Sequence, residues 1–356
     1  MATWKDKIEA TRENGQPCIM AAPQIVSCSR STDIPAFYAD WFFHRLKVGY
    51  SAWTNPFNGV QSFISYSNTR FIVFWSKNPR PLLPYISQLE DMGINCYVQF
   101  TLNDYKDEKL EKNVPALQER VETFQLLKER LGLGGVVWRF DPMILTETIG
   151  VEELLRKVEN IGTQLTGYTE KMVFSFADIF EYRKVKANLE KNGIPYRVWD
   201  PQQMEQLAQG LKNLNTKWDF QLATCGEKIN IQKYGIEHNR CIDGDLIVRR
   251  AYKDKQLMDF MGVQFITPED DLFGGTNIPD GAIPLPNGQY FVSVHKKDQG
   301  QRALCGCMAA KDIGEYNTCP HQCEYCYANT SKSIALVNYQ LHKNNPFSET
   351  IITDSP

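Results

Sequence analysis

From residue 24 to residue 224 the chain alternates short apolar stretches with longer amphipathic ones. The apolar stretches, 24–28, 70–75, 95–102, 135–140, 171–176 and 218–224, are rich in Val, Ile, Phe and Tyr. Most are apolar throughout instead of alternating with polar residues. Strands read this way when both of their faces are covered. Between them, residues 36–47, 80–92, 114–131, 151–165, 179–192 and 202–214 carry helical periodicity. Gly93 and Gly193 stand just past two of these helices, where C-cap glycines stand. The alternation predicts an α/β fold, a parallel sheet joined by helical crossovers. It amounts to six β/α units, with a hairpin-like excursion over residues 49–67. Residues 246–250 and 262–266 are candidates for two further strands.

Beyond Thr267 the pattern changes. Gly274-Gly275, Asp280-Gly281 and Pro284-Leu285-Pro286-Asn287-Gly288 mark turns and irregular chain. The division expected is a β/α unit over residues 1–245 and a cysteine-rich extension over residues 246–356. The stretch after Ser333 reads as a polar tail.

Composition narrows the partners. The chain has 356 residues, 39 basic against 42 acidic, a net charge of −3 and no concentrated basic run. It lacks the electrostatic footprint of a protein that grips a phosphate backbone, so a nucleic-acid partner is not expected. No apolar run reaches the length of a membrane span, and the first residues have no apolar leader segment. A cytoplasmic location is therefore expected. There the ten cysteines stay reduced, and close spacing favours metal ligation over disulfides.

Three cysteines stand at x3 and x2 spacing in Cys319-Pro320-His321-Gln322-Cys323-Glu324-Tyr325-Cys326-Tyr327-Ala328. Three such thiolates can hold three irons of a [4Fe–4S] cube and leave the fourth open. A structural zinc site with His321 as a further ligand is the competing reading, and a disulfide cluster is a third. Four more cysteines, Cys225, Cys241, Cys305 and Cys307, come from three segments and are candidates for a second metal site, iron–sulfur or zinc. Cys18, Cys28 and Cys96 have no partner at ligand spacing and read as core residues.

The three-cysteine spacing, with an aromatic residue before the last cysteine, resembles the signature of radical S-adenosylmethionine (SAM) enzymes. With Tyr327-Ala328 it is most similar to the spore-photoproduct-lyase branch. Phe74-Trp75-Ser76-Lys77-Asn78-Pro79, Gln99-Phe100-Thr101-Leu102-Asn103 and Trp138-Arg139-Phe140-Asp141-Pro142 resemble the polar strand ends of that branch. Ser29-Arg30-Ser31-Thr32-Asp33-Ile34-Pro35 and Asp312-Ile313-Gly314 resemble an uncharacterised bacterial family known as a domain of unknown function. In radical SAM enzymes the signature usually follows the first strand, whereas here it follows all of them.

The resemblance implies a partial (β/α)6 TIM-like barrel, which residues 246–250 and 262–266 would extend toward eight strands. The cysteine-rich extension would fold over the barrel mouth and bring the cluster to its usual place. It implies SAM as cofactor and an electron donor such as flavodoxin or ferredoxin. The resembled branch repairs DNA photolesions, a third possibility that the balance of 39 basic against 42 acidic residues disfavours, so a small-molecule or peptide substrate is expected. Ligand sites in parallel sheets lie at the C-terminal strand ends. Lys77, Asn78, Asn103, Arg139 and Asp141 are therefore candidates to hold SAM or substrate, with Tyr325 beside the adenine. Arg30, Asp33, Asp104, Ser175 and Asp178 share the same rim. Asp33, Asp178 and Asp200 read equally as helix N-caps, and Arg139–Asp141 as a buried pair on one strand face. The alternative to an enzyme is an iron–sulfur or zinc protein with a structural or electron-transfer role.

Overall fold

The structure is a computed structural model that describes residues 6–55, 58–269, 277–294 and 296–352. Eight parallel strands form one sheet. In chain order they are β1 (Ile25–Cys28), β2 (Phe71–Ser76), β3 (Asn95–Thr101), β4 (Val136–Met143), β5 (Lys171–Phe176), β6 (Gln221–Thr224), β7 (Ile236–His238) and β8 (Lys311–Asp312). Their spatial order is β7-β6-β5-β4-β3-β2-β1-β8. The six long-range apolar stretches are thus its six central strands, each within a few residues of the sequence pattern. Among the described residues no pairing joins the edge strands β7 and β8, so the sheet is open.

The uniform apolarity of the strands follows from two cores. Ile72 and Phe74, Val98 and Phe100, Trp138 and Phe140, and Met172 and Phe174 enter one core with the crossover helices. Phe71 and Val73, Tyr97, Val137 and Val173 enter the other. There they meet α-helices Gly244–Ala251 and Lys255–Met261. Because successive side chains point to opposite faces, neither face of the sheet is left to water.

The two extra strands are not where the sequence suggested. Leu246–Ile247–Val248 belongs to the helix Gly244–Ala251, which Asp243 caps through the Asp245 N–H. Its apolar run is a buried helix face, which periodicity alone does not separate from a strand. Within 262–266 only Phe265–Ile266 is extended, and it pairs antiparallel with Tyr290–Phe291 in a small sheet completed by Ile283–Pro284. The region beyond Thr267 is therefore partly ordered; its Gly274-Gly275 turn lies outside the described residues. The tail expectation is also corrected. Lys332–Asn344 is a helix capped by Ser331. Its Ala335 and His342 are buried, and Tyr339 packs edge-on against Phe37 and Tyr38.

The excursion at 49–67 is an antiparallel hairpin, Tyr50–Thr54 with Gln61–Ser65, in a second sheet with Lys7–Thr11 and Pro17–Ala21. Asp33 caps Ile34–Phe37, and Asp200 forms a full capping box with Gln203 on Pro201–Asn215. Asp178 caps no helix; the helix Arg183–Lys191 begins after Tyr182.

Candidate functional site

The cysteine loop 319–326 sits at the C-terminal ends of β2 and β3. The segment after β3 grips it through three main-chain or amide contacts. The Glu324 N–H donates to the Leu110 carbonyl at 2.9 Å, Asn113 Nδ2 to the Pro320 carbonyl at 2.9 Å, and the Asn113 N–H to the His321 carbonyl at 3.2 Å. The fully buried Glu324 carboxylate adds Lys112 at 2.9 Å, Lys332 at 2.5 Å and Asn192 Nδ2 at 2.8 Å.

Beneath the loop lies a buried charged group. Glu111 takes Lys77 Nζ at 2.8 Å, Asn103 Nδ2 at 3.2 Å and the Tyr325 hydroxyl, with Arg120 Nη1 at 3.9 Å. Lys77 and Asn103 also donate to the Tyr325 hydroxyl, at 2.8 and 3.1 Å. Burial by itself pushes the Glu111 carboxyl up, but Lys77 and then Arg120 outweigh it and hold it down at about 2. Lys77, Asn103 and Tyr325 are thus brought together, but all three are engaged with one another and with Glu111. Tyr325 anchors the loop here. Asn78 is half-buried, and its N–H donates to Ser76 Oγ at 2.9 Å.

The three thiols lie close enough to act on one another. Burial pushes Cys319 well above the ordinary thiol range, with Asp33, Cys326 and Cys323 adding to it. Burial raises Cys323 as well, against the pull of Lys77. His321 is buried with both ring nitrogens occupied, Nε2 by Asp33 at 2.8 Å and Nδ1 by the Asn113 carbonyl at 3.2 Å. It therefore offers no nitrogen to a zinc ion in this arrangement.

Arg139 and Asp141 belong to a different neighbourhood. They project from β4 to the face lined by Trp75, Gln99 and Ser175, as i and i+2 positions do. Arg139 is buried, pairs with Asp141 at 2.5 Å, donates to Cys241 Sγ at 3.2 Å and lies 5.3 Å from the Trp75 ring centroid. Ser175 donates to Asp141, and the Asp141 N–H donates to Asn103 Oδ1 at 2.9 Å, which links the two neighbourhoods.

The second set of thiols gathers on this face. Cys225 Sγ and Cys241 Sγ are 3.4 Å apart. Cys307 Sγ accepts the N–H groups of Cys241 and Ile242 at 3.2 and 3.4 Å, and Asn239 Nδ2 donates to Cys241 Sγ at 3.1 Å. Hydrogen bonds from Cys225 and Cys307, with Arg139 behind them, hold the Cys241 thiol well below its ordinary value. A hydrogen bond from Cys307 brings Cys305 down to about 6. Among the described residues, no group of three or more His, Cys, Asp or Glu side chains forms a ready cage for one metal ion. Thiolates of a cubane bind separate irons, so they stand farther apart than donors that share one ion. For the loop, three thiols, Cys323 buried and Cys319 and Cys326 partly buried, with both His321 ring nitrogens committed elsewhere, fit such a cluster.

Several residues escaped the sequence reading. Glu111 and Glu324 are two of them, Glu324 within the cysteine motif itself. Asp312 joins the last strand to the first, accepting from Ser27 Oγ at 2.9 Å, Ser29 Oγ at 2.7 Å and the Arg30 N–H at 2.9 Å. Its only sequence signal was its place in Asp312-Ile313-Gly314. Glu227, past β6, accepts the Phe176 N–H at 2.9 Å; burial raises it to about 7, with Asp141 and Asp178 adding. A cavity of about 700 Å³ opens beside the loop, bordered by Tyr327 and not by Tyr325. A larger one, about 830 Å³, lies far from the cysteines, among Lys7, Gln24, Asn68, Lys255 and Asp259.

The strand ends and both cysteine groups fall within residues 25–328, the stretch matched by the family described as Domain of unknown function (DUF1848). The chain belongs to this family. The match runs from the first residue of β1 to two residues past Cys326, so sheet and cysteine loop are one DUF1848 unit. Among curated proteins none matches the chain.

Proposed function

We propose that this protein is a radical SAM-like enzyme acting on a small-molecule or peptide substrate. Cys319, Cys323 and Cys326 would hold a [4Fe–4S] cluster with one open iron. The observation that carries this reading is the three-thiol loop at the strand ends, with His321 committed elsewhere. The eight-stranded sheet would be the wall of a partial barrel whose mouth the extension covers. When bound, such a cluster supplies an electron that breaks the C5′–sulfur bond of SAM, and the resulting 5′-deoxyadenosyl radical takes hydrogen from substrate.

The chain's own residues do the rest. Lys77, Asn103 and Glu111 fix Tyr325 and with it the pitch of the loop. Gln99, Arg139, Asp141 and Ser175 form a polar strip on the facing side of the sheet, where substrate groups can be oriented. Burial of Cys323 and partial burial of Cys319 and Cys326 would restrict water and oxidants. The enzyme would be cytoplasmic and would take its electrons from a donor such as flavodoxin or ferredoxin. Among the described residues no helix is long and apolar enough to cross a membrane. The net charge of −3 argues against a nucleic-acid substrate.

The test is anaerobic reconstitution with iron and sulfide, followed by iron analysis and electron paramagnetic resonance of the reduced protein. Alanine at all three cysteines should remove about four irons and the signal that shifts on adding SAM. Unchanged iron, or a signal indifferent to SAM, would end this reading.

A second reading rests on the other thiols. A tetrahedral zinc with Zn–S of about 2.3 Å has sulfur–sulfur edges of about 3.8 Å, near the 3.4 Å between Cys225 and Cys241. Cys225, Cys241, Cys305 and Cys307 would then share zinc or a closed cluster that braces the extension. Such a site, without the open one, would make the protein structural or electron-transferring. Metal analysis of Cys241→Ser separates the two, because only the bracing metal should be lost.

A further inference from the structure

The cavity of about 700 Å³ is lined by Tyr182, Tyr316 and Tyr327, by Arg183 and Lys184, and by polar Thr54, Asn317 and Thr330. The tyrosines are arranged as a partly open aromatic wall. The Tyr182 and Tyr327 rings lie 5.9 Å apart at 37°, and both are more than a third exposed. Their hydroxyls are anchored away from any ligand. Tyr327 donates to the Arg30 carbonyl at 2.7 Å, and Arg302 donates to Tyr182 at 2.9 Å. What remains available is ring surface.

The charged groups around the wall differ in their partners. The cavity's two carboxylates are already answered. Glu181 pairs with Lys228 at 3.4 Å, and Glu315 accepts the N–H groups of Thr54 and Ile352 at 3.1 and 3.0 Å. The two cations are not. Among the described residues neither Arg183 nor Lys184 forms an ion pair, and the Lys184 ammonium instead lies 5.9 Å from the Tyr316 ring centroid. Both residues open the helix Arg183–Lys191, whose cap residue Tyr182 makes no side-chain capping bond. The Tyr182 carbonyl takes the Val185 N–H at 2.8 Å, which leaves the N–H groups of Arg183 and Lys184 to add to the attraction for a phosphate. The cavity also adjoins the cysteine loop, since its lining residue Tyr327 follows Cys326.

We propose that this cavity binds a nucleoside monophosphate, its base against the tyrosine wall and its phosphate at Arg183 and Lys184. Flat rings stack on aromatic faces, and a phosphate dianion is the charge that two free cations best answer. SAM, whose sulfonium is cationic and which carries no phosphate, does not suit it. Only the ligand's role as substrate rests on the radical SAM reading; its binding does not.

The test is calorimetric titration of the full chain with adenosine 5′-monophosphate, without reductant or SAM. Saturable binding is expected, at least tenfold weaker for adenosine, which lacks the phosphate, and for ribose 5-phosphate, which lacks the base. Lys184→Glu and Tyr316→Ala should each weaken it at least tenfold, and Lys184→Arg should keep it. Thermal melts confirm that these variants fold. No saturation, or full affinity in both weakening variants, overturns the proposal. Displacement of the nucleotide by SAM overturns it too, because the cavity would then be SAM's. Absence of SAM cleavage with nucleotide binding intact counts against the enzyme reading alone.

Discussion

Glu111→Gln removes the carboxylate on which the seat of the cysteine loop depends. In the folded chain Glu111 is held at about 2 against an ordinary 4.5. A difference of that size corresponds to about 3 kcal/mol favouring the folded state at neutral pH. The sign follows from the depressed value. The contribution is complete above about 4.5 and is lost as pH falls toward about 2. Glutamine keeps the size of the side chain but leaves the buried Lys77 ammonium without a counter-charge, and breaking a buried pair typically costs about 3–5 kcal/mol. Urea unfolding followed by far-ultraviolet circular dichroism, run anaerobically at pH 7 and at steps down to pH 3, measures both effects. The variant should be less stable by about 3 kcal/mol at pH 7 and should lose part of the acid sensitivity of the parent. Adding Lys77→Met should restore at least half of the loss, because the stranded cation is then gone. A Glu111→Gln protein within about 0.5 kcal/mol of the parent, or one with the parent's full acid sensitivity, would refute the reasoning.

Two further outcomes follow from single sites. A Cβ on Gly314 would stand 1.8 Å from Ser29 Oγ, inside the Asp312 hydrogen-bond group. Gly314→Ala should therefore cost at least 1–3 kcal/mol, about what overpacking costs, in the same unfolding assay, and Ser29→Gly should relieve it. Glu227 is raised to about 7 by burial, so its stabilising contribution is full below 4.5 and is lost as pH rises through 7. Glu227→Gln should flatten the stability profile across that window; an unchanged profile would show that another group titrates there.

The core of this fold was legible because two-sided burial leaves uniform apolar runs, which identify β1 through β6 without tertiary information. The edge strands were not, since β7 has three residues and β8 two, too short for any period to register. Residues 246–250 were ambiguous in apolarity alone. The Asp243 cap that makes them helical lies just outside the run. The helix Lys332–Asn344 was hidden by its polarity, although Ser331 stood at its start. At the site, cysteine spacing marked the loop. The groups that hold it, Glu111 and Glu324, meet partners up to 214 positions away, and no local pattern carries such pairing. Lys77, Asn103, Arg139 and Asp141 were chosen for their strand-end positions. Position did not show that each already has a protein partner.

The central claim is that Cys319, Cys323 and Cys326 hold an open-site cluster that cleaves SAM. The most direct measurement is liquid chromatography of an anaerobic mixture of reconstituted protein, SAM and dithionite. The account expects 5′-deoxyadenosine and methionine to accumulate with the parent protein and to be absent with alanine at the three cysteines. Parent protein that carries a full cluster and releases no 5′-deoxyadenosine would contradict it, as would release that persists in the triple variant.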